Sequence, residues 1–332
     1  MESQNNMVLV IAEHENGNTA AITRELLGSG SKLATSLNGE LAALIIGGGT
    51  GDTAKEAISY GADKAYVLDN PSLDDYDLDS YISAVTQACQ QINPAIILMG
   101  HTAIGRDTAA RIAFRLKCFP LMDSNKLEYD AAGKSLVQIR LAYSGKAVAT
   151  MGTTGSFPQL ATVSPGVMEP PAPDNSRQGE VINLNIEISD STPKLKLVDT
   201  IEAETGEIKL EEAEVVVAGG GGIGGIEGFE MLKELAGIWN GAVGGTRVPC
   251  DEGWLPSMSF EIGLTGKTVK PRLYFAIGIS GAAQHIVGCS DSKCIVAINK
   301  DPDAAIFKVS DFGIVGDYKT VVPALIEQFK KH

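Results

Sequence analysis

Short apolar runs separated by helix-patterned stretches constrain this chain more than any other feature. Val8-Leu9-Val10-Ile11, Leu41 to Ile46, Lys64 to Leu68 and Ala95 to Met99 are brief and largely without polar interruption. Strands of that kind are buried on both faces and need helices on both sides. The intervening stretches supply them. Helices are predicted from about Thr19 to Leu37, up to Tyr60 with Asp52 or Thr53 as cap, from about Leu78 to Ile92, and from Gly105 to Leu116. The first third therefore reads as a parallel α/β sheet.

The pattern changes after Pro120. Lys126 to Tyr129, Leu136 to Tyr143 and Lys146 to Met151 are short and β-rich, with a turn at Ala131-Ala132-Gly133. They predict antiparallel hairpins added to the first sheet. Pro165, Pro170, Pro171 and Pro173 mark a loop, and Val181 to Ile188 predicts one more strand. A second α/β unit opens at Glu214-Val215. Its strands are expected at Val215 to Ala218, Leu273 to Gly278 and Cys294 to Asn299. Its helices are expected at about Glu227 to Trp239, near Gln284, and from about Val321 to Lys330. The 332 residues suit two domains. The expected division is 1–195 as an N-terminal, nucleotide-hydrolase-like α/β domain, 196–212 as a linker, and 213–332 as a Rossmann-like α/β domain.

Composition excludes several classes. The net charge is −14 and no Lys/Arg stripe is visible, which argues against nucleic acid as a partner. No apolar run approaches the roughly 18 residues that span a bilayer. The polar start, Met1 to Asn6, lacks a signal-peptide pattern. The five cysteines form no CxxC pair and read as reduced thiols, so a cytoplasmic location is expected. With four histidines, a His-based metal site is not expected. No Ser-His-Asp or Cys-His order and no paired carboxylates point to a catalytic residue. His101, between a strand end and a helix start, reads as a packed turn; Arg106 and Arg111 read as solvated or interfacial.

Glycine marks the candidate site. Gly220-Gly221-Gly222-Ile223-Gly224-Gly225 satisfies G-x-G-x-x-G between a strand and a helix, the dinucleotide fingerprint. An NAD(P)-dependent oxidoreductase is one reading. The acidic ribose partner expected about 20 residues on is missing, because that segment ends Gly244-Gly245-Thr246-Arg247. Further on, Leu273 to His285 delivers a Ser-Gly-Ala turn from a strand into a helix, whose free N–H groups could cradle a phosphate. Gln284 and His285 add donors. Asn299 and Asp301 end the next strand, so the polar groups converge on one sheet edge.

Gly263-Leu264-Thr265-Gly266-Lys267, the stretch from Leu273 to Asn299 and Asn299-Lys300-Asp301-Pro302 resemble the α subunit of electron transfer flavoproteins. The Asp311-to-Asp317 segment and Gly100-His101-Thr102 to Arg111 follow that family too, so the resemblance covers nearly the whole chain. It implies that the second unit is a Rossmann-like (DHS-like) FAD-binding domain. It also implies a heterodimer with a β subunit that carries AMP or a second FAD. The pair would be an electron carrier rather than a classical enzyme. It would move electrons from dehydrogenases, such as the acyl-CoA dehydrogenases of fatty acid β-oxidation, or from NADH in relatives that bifurcate electrons. The acceptor would be a quinone oxidoreductase of the family's type or another protein.

Carried over by motif, the resemblance puts Thr246 and Arg247 beside the isoalloxazine and Gly263, Leu264 and Thr265 in the turn near flavin N5. Ser280, Gly281, Ala282 and Ala283 match the phosphate turn. Gln284 and His285 match the Gln-His pair, with His285 near the flavin O2 edge. Asn299, Lys300, Asp301, Asp317 and Tyr318 fall toward the ribityl and adenosine side. A cation such as Arg247 would stabilise negative charge on a reduced flavin. At about 4 Å with an effective dielectric near 20, the Coulomb energy is ~4 kcal/mol before screening. Two positions depart from the family pattern. Gly221 stands where an Arg is usual, and Leu264 where a Gln is usual; each removes a side-chain donor.

Overall fold

The structure is a computed structural model describing residues 5–15, 17–74, 76–142, 147–153, 157–186, 209–211 and 213–331. It divides into two compact units, residues 1–200 and 201–332. The expected linker at 196–212 falls outside the described residues except for 209–211. Among the described residues, no helix is long and apolar enough to cross a membrane.

The first unit is built on a seven-stranded, all-parallel sheet. Its order is Glu180–Asn183, Lys64–Asp69, Leu41–Gly47, Asn5–Ile11, Pro94–Gly100, Gln159–Val163 and Pro120–Ser124. Alternate residues of one strand feed two different cores. Val8, Val10, Leu41, Ala43 and Ile45 pack on one face, and Met7, Leu9, Ile11, Ala42 and Leu44 on the other. That two-sided burial explains the unbroken apolar runs. Each fully buried Leu or Ile contributes about 1.5–3 kcal/mol before entropy.

The helices are Ala21–Leu37, Gly51–Ser59, Leu78–Ile92 and Ala103–Leu116. Asp77 caps Leu78–Ile92 by accepting from the Ser80 N–H at 2.9 Å, and Thr102 caps Ala103–Leu116 through the Gly105 N–H at 3.1 Å. Neither Asp52 nor Thr53 is the cap of Gly51–Ser59: both lie inside the helix, and Thr50 occupies the cap position without a side-chain hydrogen bond.

The expected hairpins are present but do not extend the first sheet. Lys126–Asp130, Ser135–Ala142 and Ala147–Gly152 form their own three-stranded antiparallel sheet. The main sheet instead gains Pro120–Ser124 and the wholly buried Gln159–Val163, both parallel. The strand expected at Val181 to Ile188 is Glu180–Asn183, an edge strand beside Lys64–Asp69; residues 187 and 188 lie outside the described residues.

The second unit holds a five-stranded parallel sheet in the order Ala242–Gly245, Val215–Gly219, Leu273–Ile277, Ile295–Asn299 and Phe312–Val315. Its faces are again covered separately. Val216, Ala218, Tyr274, Ala276 and Ala297 face one core, and Val217, Phe275, Ile277 and Ile298 the other. Helices Ile226–Gly237 and Tyr318–Phe329 flank the second of these. The sheet is α/β and Rossmann-like, as expected. The strands Ala242–Gly245 and Phe312–Val315 escape a sequence reading because each is four residues long and glycine-bearing.

Candidate functional site

Parallel strands put all their carboxyl ends on one edge, and four loops of the second unit meet there. Val215–Gly219 runs into the glycine loop, Ala242–Gly245 into Thr246, Leu273–Ile277 into Gly278, and Ile295–Asn299 into Lys300. The first and third loops touch. The Gly222 N–H donates to the Gly278 carbonyl at 3.0 Å, and a Cβ on Gly220 would lie 2.3 Å from that same oxygen. Only glycine permits this approach. Gly278 and Gly281 also carry φ of +62° and +85°, which side chains rarely adopt.

Two adjoining cavities open on this edge. One, of about 380 Å³, is lined by Gly220 to Gly222, Thr246 to Val248, Glu261 to Thr265, Gly278 to Ser280, Ala282, Gln284 and His285. The other, of about 390 Å³, is lined by Asn299, Asp301, Asp303, Ala304 and Ala305 and shares Gly222, Gly278 and Ser280 with the first. Of the residues singled out by motif, Thr246, Arg247, Gly263, Leu264, Thr265, Ser280, Ala282, Gln284 and His285 thus come together in one cavity. Ser280, Asn299 and Asp301 meet in the other.

Five of the motif residues line neither cavity. Gly281 packs against the backbone of Ile306, and Ala283 starts the single helical turn Ala283–Ile286. Lys300 follows the strand Ile295–Asn299, between the lining residues Asn299 and Asp301, without itself lining either cavity. Asp317 caps Tyr318–Phe329 by accepting from the Lys319 N–H at 2.9 Å, and the Tyr318 hydroxyl donates to the Ile223 carbonyl at 2.8 Å. These contacts give Asp317 and Tyr318 packing roles in this structure.

His285, expected to add a donor to the site, is held on both sides of its ring in this structure. The residue is 5% exposed and both ring nitrogens are engaged. Nδ1 lies 2.8 Å from the Ile262 carbonyl, which can only accept, so Nδ1 carries the proton. Nε2 then accepts from the Tyr274 hydroxyl at 3.0 Å. Burial holds the His285 pKa below its ordinary value, outweighing the Ile262 hydrogen bond and the Glu261 charge. The ring is neutral as it stands.

Among the described residues, Arg247 is the one cationic side chain lining the first cavity. Its side chain is 64% exposed, and Nε pairs with Asp251 at 3.2 Å one turn along Arg247–Asp251. Among the lining residues that sequence reasoning missed, Glu261 and Asp303 are the charged ones, and Glu261 is the more deeply buried. It is 3% exposed, lines the cavity and accepts from the Thr265 hydroxyl at 2.6 Å. No local pattern marks it, because a single Glu before a glycine turn has no signature.

A flavin dinucleotide fits these residues. The two joined cavities suit a ligand with two ends, glycines hold the shared wall to backbone thickness, and Arg247 supplies a positive charge beside one end. An NAD(P) reading fits less well. The strand Ala242–Gly245, paired with Val215–Gly219, is followed directly by Thr246 and Arg247 and not by the acidic residue of the dinucleotide fingerprint.

Comparisons agree with this geometry. Residues 8–189 match the Electron transfer flavoprotein domain, and residues 209–290 the Electron transfer flavoprotein FAD-binding domain. The chain is 43% identical over 324 residues to the Electron transfer flavoprotein subunit alpha of Thermoanaerobacterium thermosaccharolyticum, covering 98% of each chain. It is 40% identical over 326 residues to the subunit alpha of Megasphaera elsdenii, covering 98% of this chain and 96% of that one. It is 38% identical over 324 residues to Protein FixB of Clostridium saccharobutylicum, with 98% and 96% covered. On these matches, the chain belongs to the electron transfer flavoprotein alpha-subunit family.

Proposed function

We propose that this chain binds FAD in the double cavity of its second unit and, joined to a β subunit of the same family, carries electrons between a donor dehydrogenase and an acceptor protein. One observation carries the reading: two joined cavities at the carboxyl edge of a parallel sheet share a glycine wall, and Arg247 lines one of them. When bound, FAD supplies the redox chemistry. This chain binds and orients it. Thr246, Arg247, Gly263, Leu264, Thr265, Gln284 and His285 would surround the ring end; Ser280 the middle; Asn299 and Asp301 the far end. Arg247 would favour added negative charge on the ring. Donors such as acyl-CoA dehydrogenases or NADH, a quinone oxidoreductase acceptor, a β subunit holding AMP or a second FAD, and a cytoplasmic location all belong to this proposal.

Co-expression with a neighbouring β-type subunit tests it. A yellow complex that releases FAD on denaturation, while the lone chain elutes without its full complement of FAD, is the expected result. A colourless complex, or NADH-dependent activity of this chain alone, would overturn it.

A further inference from the structure

Glu261 sits in the ring-end cavity with no counter-ion among the described residues. Its carboxylate is almost fully enclosed and has no ion-pair partner among the described residues. The charged and titratable groups around it are otherwise occupied. His285, from the turn Ala283–Ile286, is neutral because burial lowers its pKa. The Cys250 thiol, from Arg247–Asp251, is pushed up to about 11 by burial first and by Glu261 and Asp251 second. Arg247 is paired with Asp251, and the Lys267 ammonium with Glu211. The Glu261 backbone is fixed as well, since its carbonyl accepts from the Lys267 N–H at 2.6 Å.

What the carboxylate does engage is the Thr265 hydroxyl, at 2.6 Å. A hydroxyl has one proton to give. With that proton directed at Glu261, the Thr265 oxygen can only accept from anything else in the cavity. Reduction of an isoalloxazine turns bare ring nitrogens into N–H donors, so an acceptor favours the reduced ring and a free hydroxyl would serve either state.

We propose that Glu261 is a positioning residue: it holds Thr265 as an acceptor toward the cavity, so that the chain binds reduced flavin in preference to oxidised flavin. The inference rests on the FAD reading above. Glu261 need not touch the cofactor; it acts through the Thr265 hydroxyl.

The test is the ratio of FAD dissociation constants, oxidised over dithionite-reduced, measured anaerobically on the full chain in complex with its β-type partner. Glu261→Gln removes the charge but keeps an oxygen that accepts from Thr265; Glu261→Leu removes both. Comparing these two cancels the effect of the charge itself. The ratio is expected to fall about 5-fold from the Gln to the Leu variant, the weight of one neutral hydrogen bond. That difference should vanish when Thr265→Val is added, because both changes remove one interaction. Thr265→Val alone should lower the ratio about 5-fold and Thr265→Ser should preserve it, which decides the matter if the leucine variant does not fold. A merely structural role would change both dissociation constants together and leave the ratio fixed. Flavin binding with a ratio indifferent to Thr265→Val, or a Gln-to-Leu difference that persists without the hydroxyl, overturns the role of Glu261 alone. Failure of the wild-type complex to bind FAD overturns this inference and the FAD reading together.

Discussion

The Tyr274 hydroxyl donates to His285 Nε2 at 3.0 Å, tying the buried strand Leu273–Ile277 to the wall of the cavity that Arg247 and Glu261 also line. Tyr274 is fully buried and His285 nearly so. Replacing Tyr274 with Phe leaves that ring nitrogen without its donor. The expected cost is about 1–3 kcal/mol, read as a lower urea midpoint with an unchanged slope. A midpoint equal to wild type would show that the hydroxyl does not support the ring.

The same burial makes stability depend on acid. His285 has a folded pKa below the ordinary 6.5, so the unfolded chain takes up a proton there that the folded chain refuses. Its contribution is present above that ordinary value and is lost as pH falls toward the folded pKa. His101 in the first unit is lowered in the same direction, chiefly by burial, and adds to the trend. Unfolding free energy is expected to drop below about pH 6.5, and His285→Gln should flatten the slope relative to wild type. Parallel pH profiles for the two proteins would refute the assignment.

Glu13 has the opposite sign. Burial raises its pKa, against the hydrogen bond that its carboxylate accepts from the Thr102 hydroxyl at 2.8 Å; the Glu15 charge adds to the rise. A raised carboxyl favours the fold below its unfolded pKa and loses that contribution as pH rises through the folded one. Glu13→Gln keeps an acceptor for Thr102. It should stabilise the chain by about 1 kcal/mol at pH 7 and by nothing below the ordinary pKa of the group. Thermal melts at both pH values check this, and a destabilised variant at pH 7 would contradict it.

Neighbouring glycines should respond very differently. A methyl group on Gly220 would meet the Gly278 carbonyl at 2.3 Å, whereas one on Gly221 finds only Val248 Cγ1 at 3.5 Å. Gly220→Ala is expected to cost about 1–3 kcal/mol and Gly221→Ala well under 1. Gly221 also lines the cavity, as does Leu264 with 63% exposure, and a Cβ at Gly221 meets nothing closer than 3.5 Å, so Gly221→Arg with Leu264→Gln adds two side-chain donors at the cavity wall. The double variant should bind FAD roughly 10- to 100-fold tighter. Isothermal titration with FAD checks it; equal affinity would show that these positions do not reach the cofactor.

Arg247 is expected to matter more for reduced than for oxidised flavin. Arg247→Ala should weaken the reduced complex by about tenfold more than the oxidised one, an effect of ~1.4 kcal/mol within the ~4 kcal/mol available to an unscreened pair at that dielectric. Asp251→Asn, which frees the guanidinium from its 3.2 Å pair, should shift the balance the other way. Spectroelectrochemical midpoints of both variants decide it. Shifts of the same sign would exclude a charge effect.

The sequence by itself determined the layered α/β architecture, the glycine turns and the family. Unbroken apolar runs such as Leu41 to Ile46, alternating with helix-patterned stretches, mark two-sided parallel strands, and Gly278 and Gly281 mark backbone that other residues rarely adopt. These features are local, carried by side-chain period and backbone dihedral preference. Tertiary structure decided which residues meet. It sorted Gln159–Val163 into the main sheet and the hairpins out of it. It left Asp317 and Tyr318 in packing contacts, engaged both nitrogens of His285, and set the unmarked Glu261 beneath Thr265. Such pairings depend on where distant segments pack and on which buried polar atoms must find partners there. No spacing within one segment encodes that, because a hydrogen bond is satisfied by position in space and is indifferent to separation along the chain.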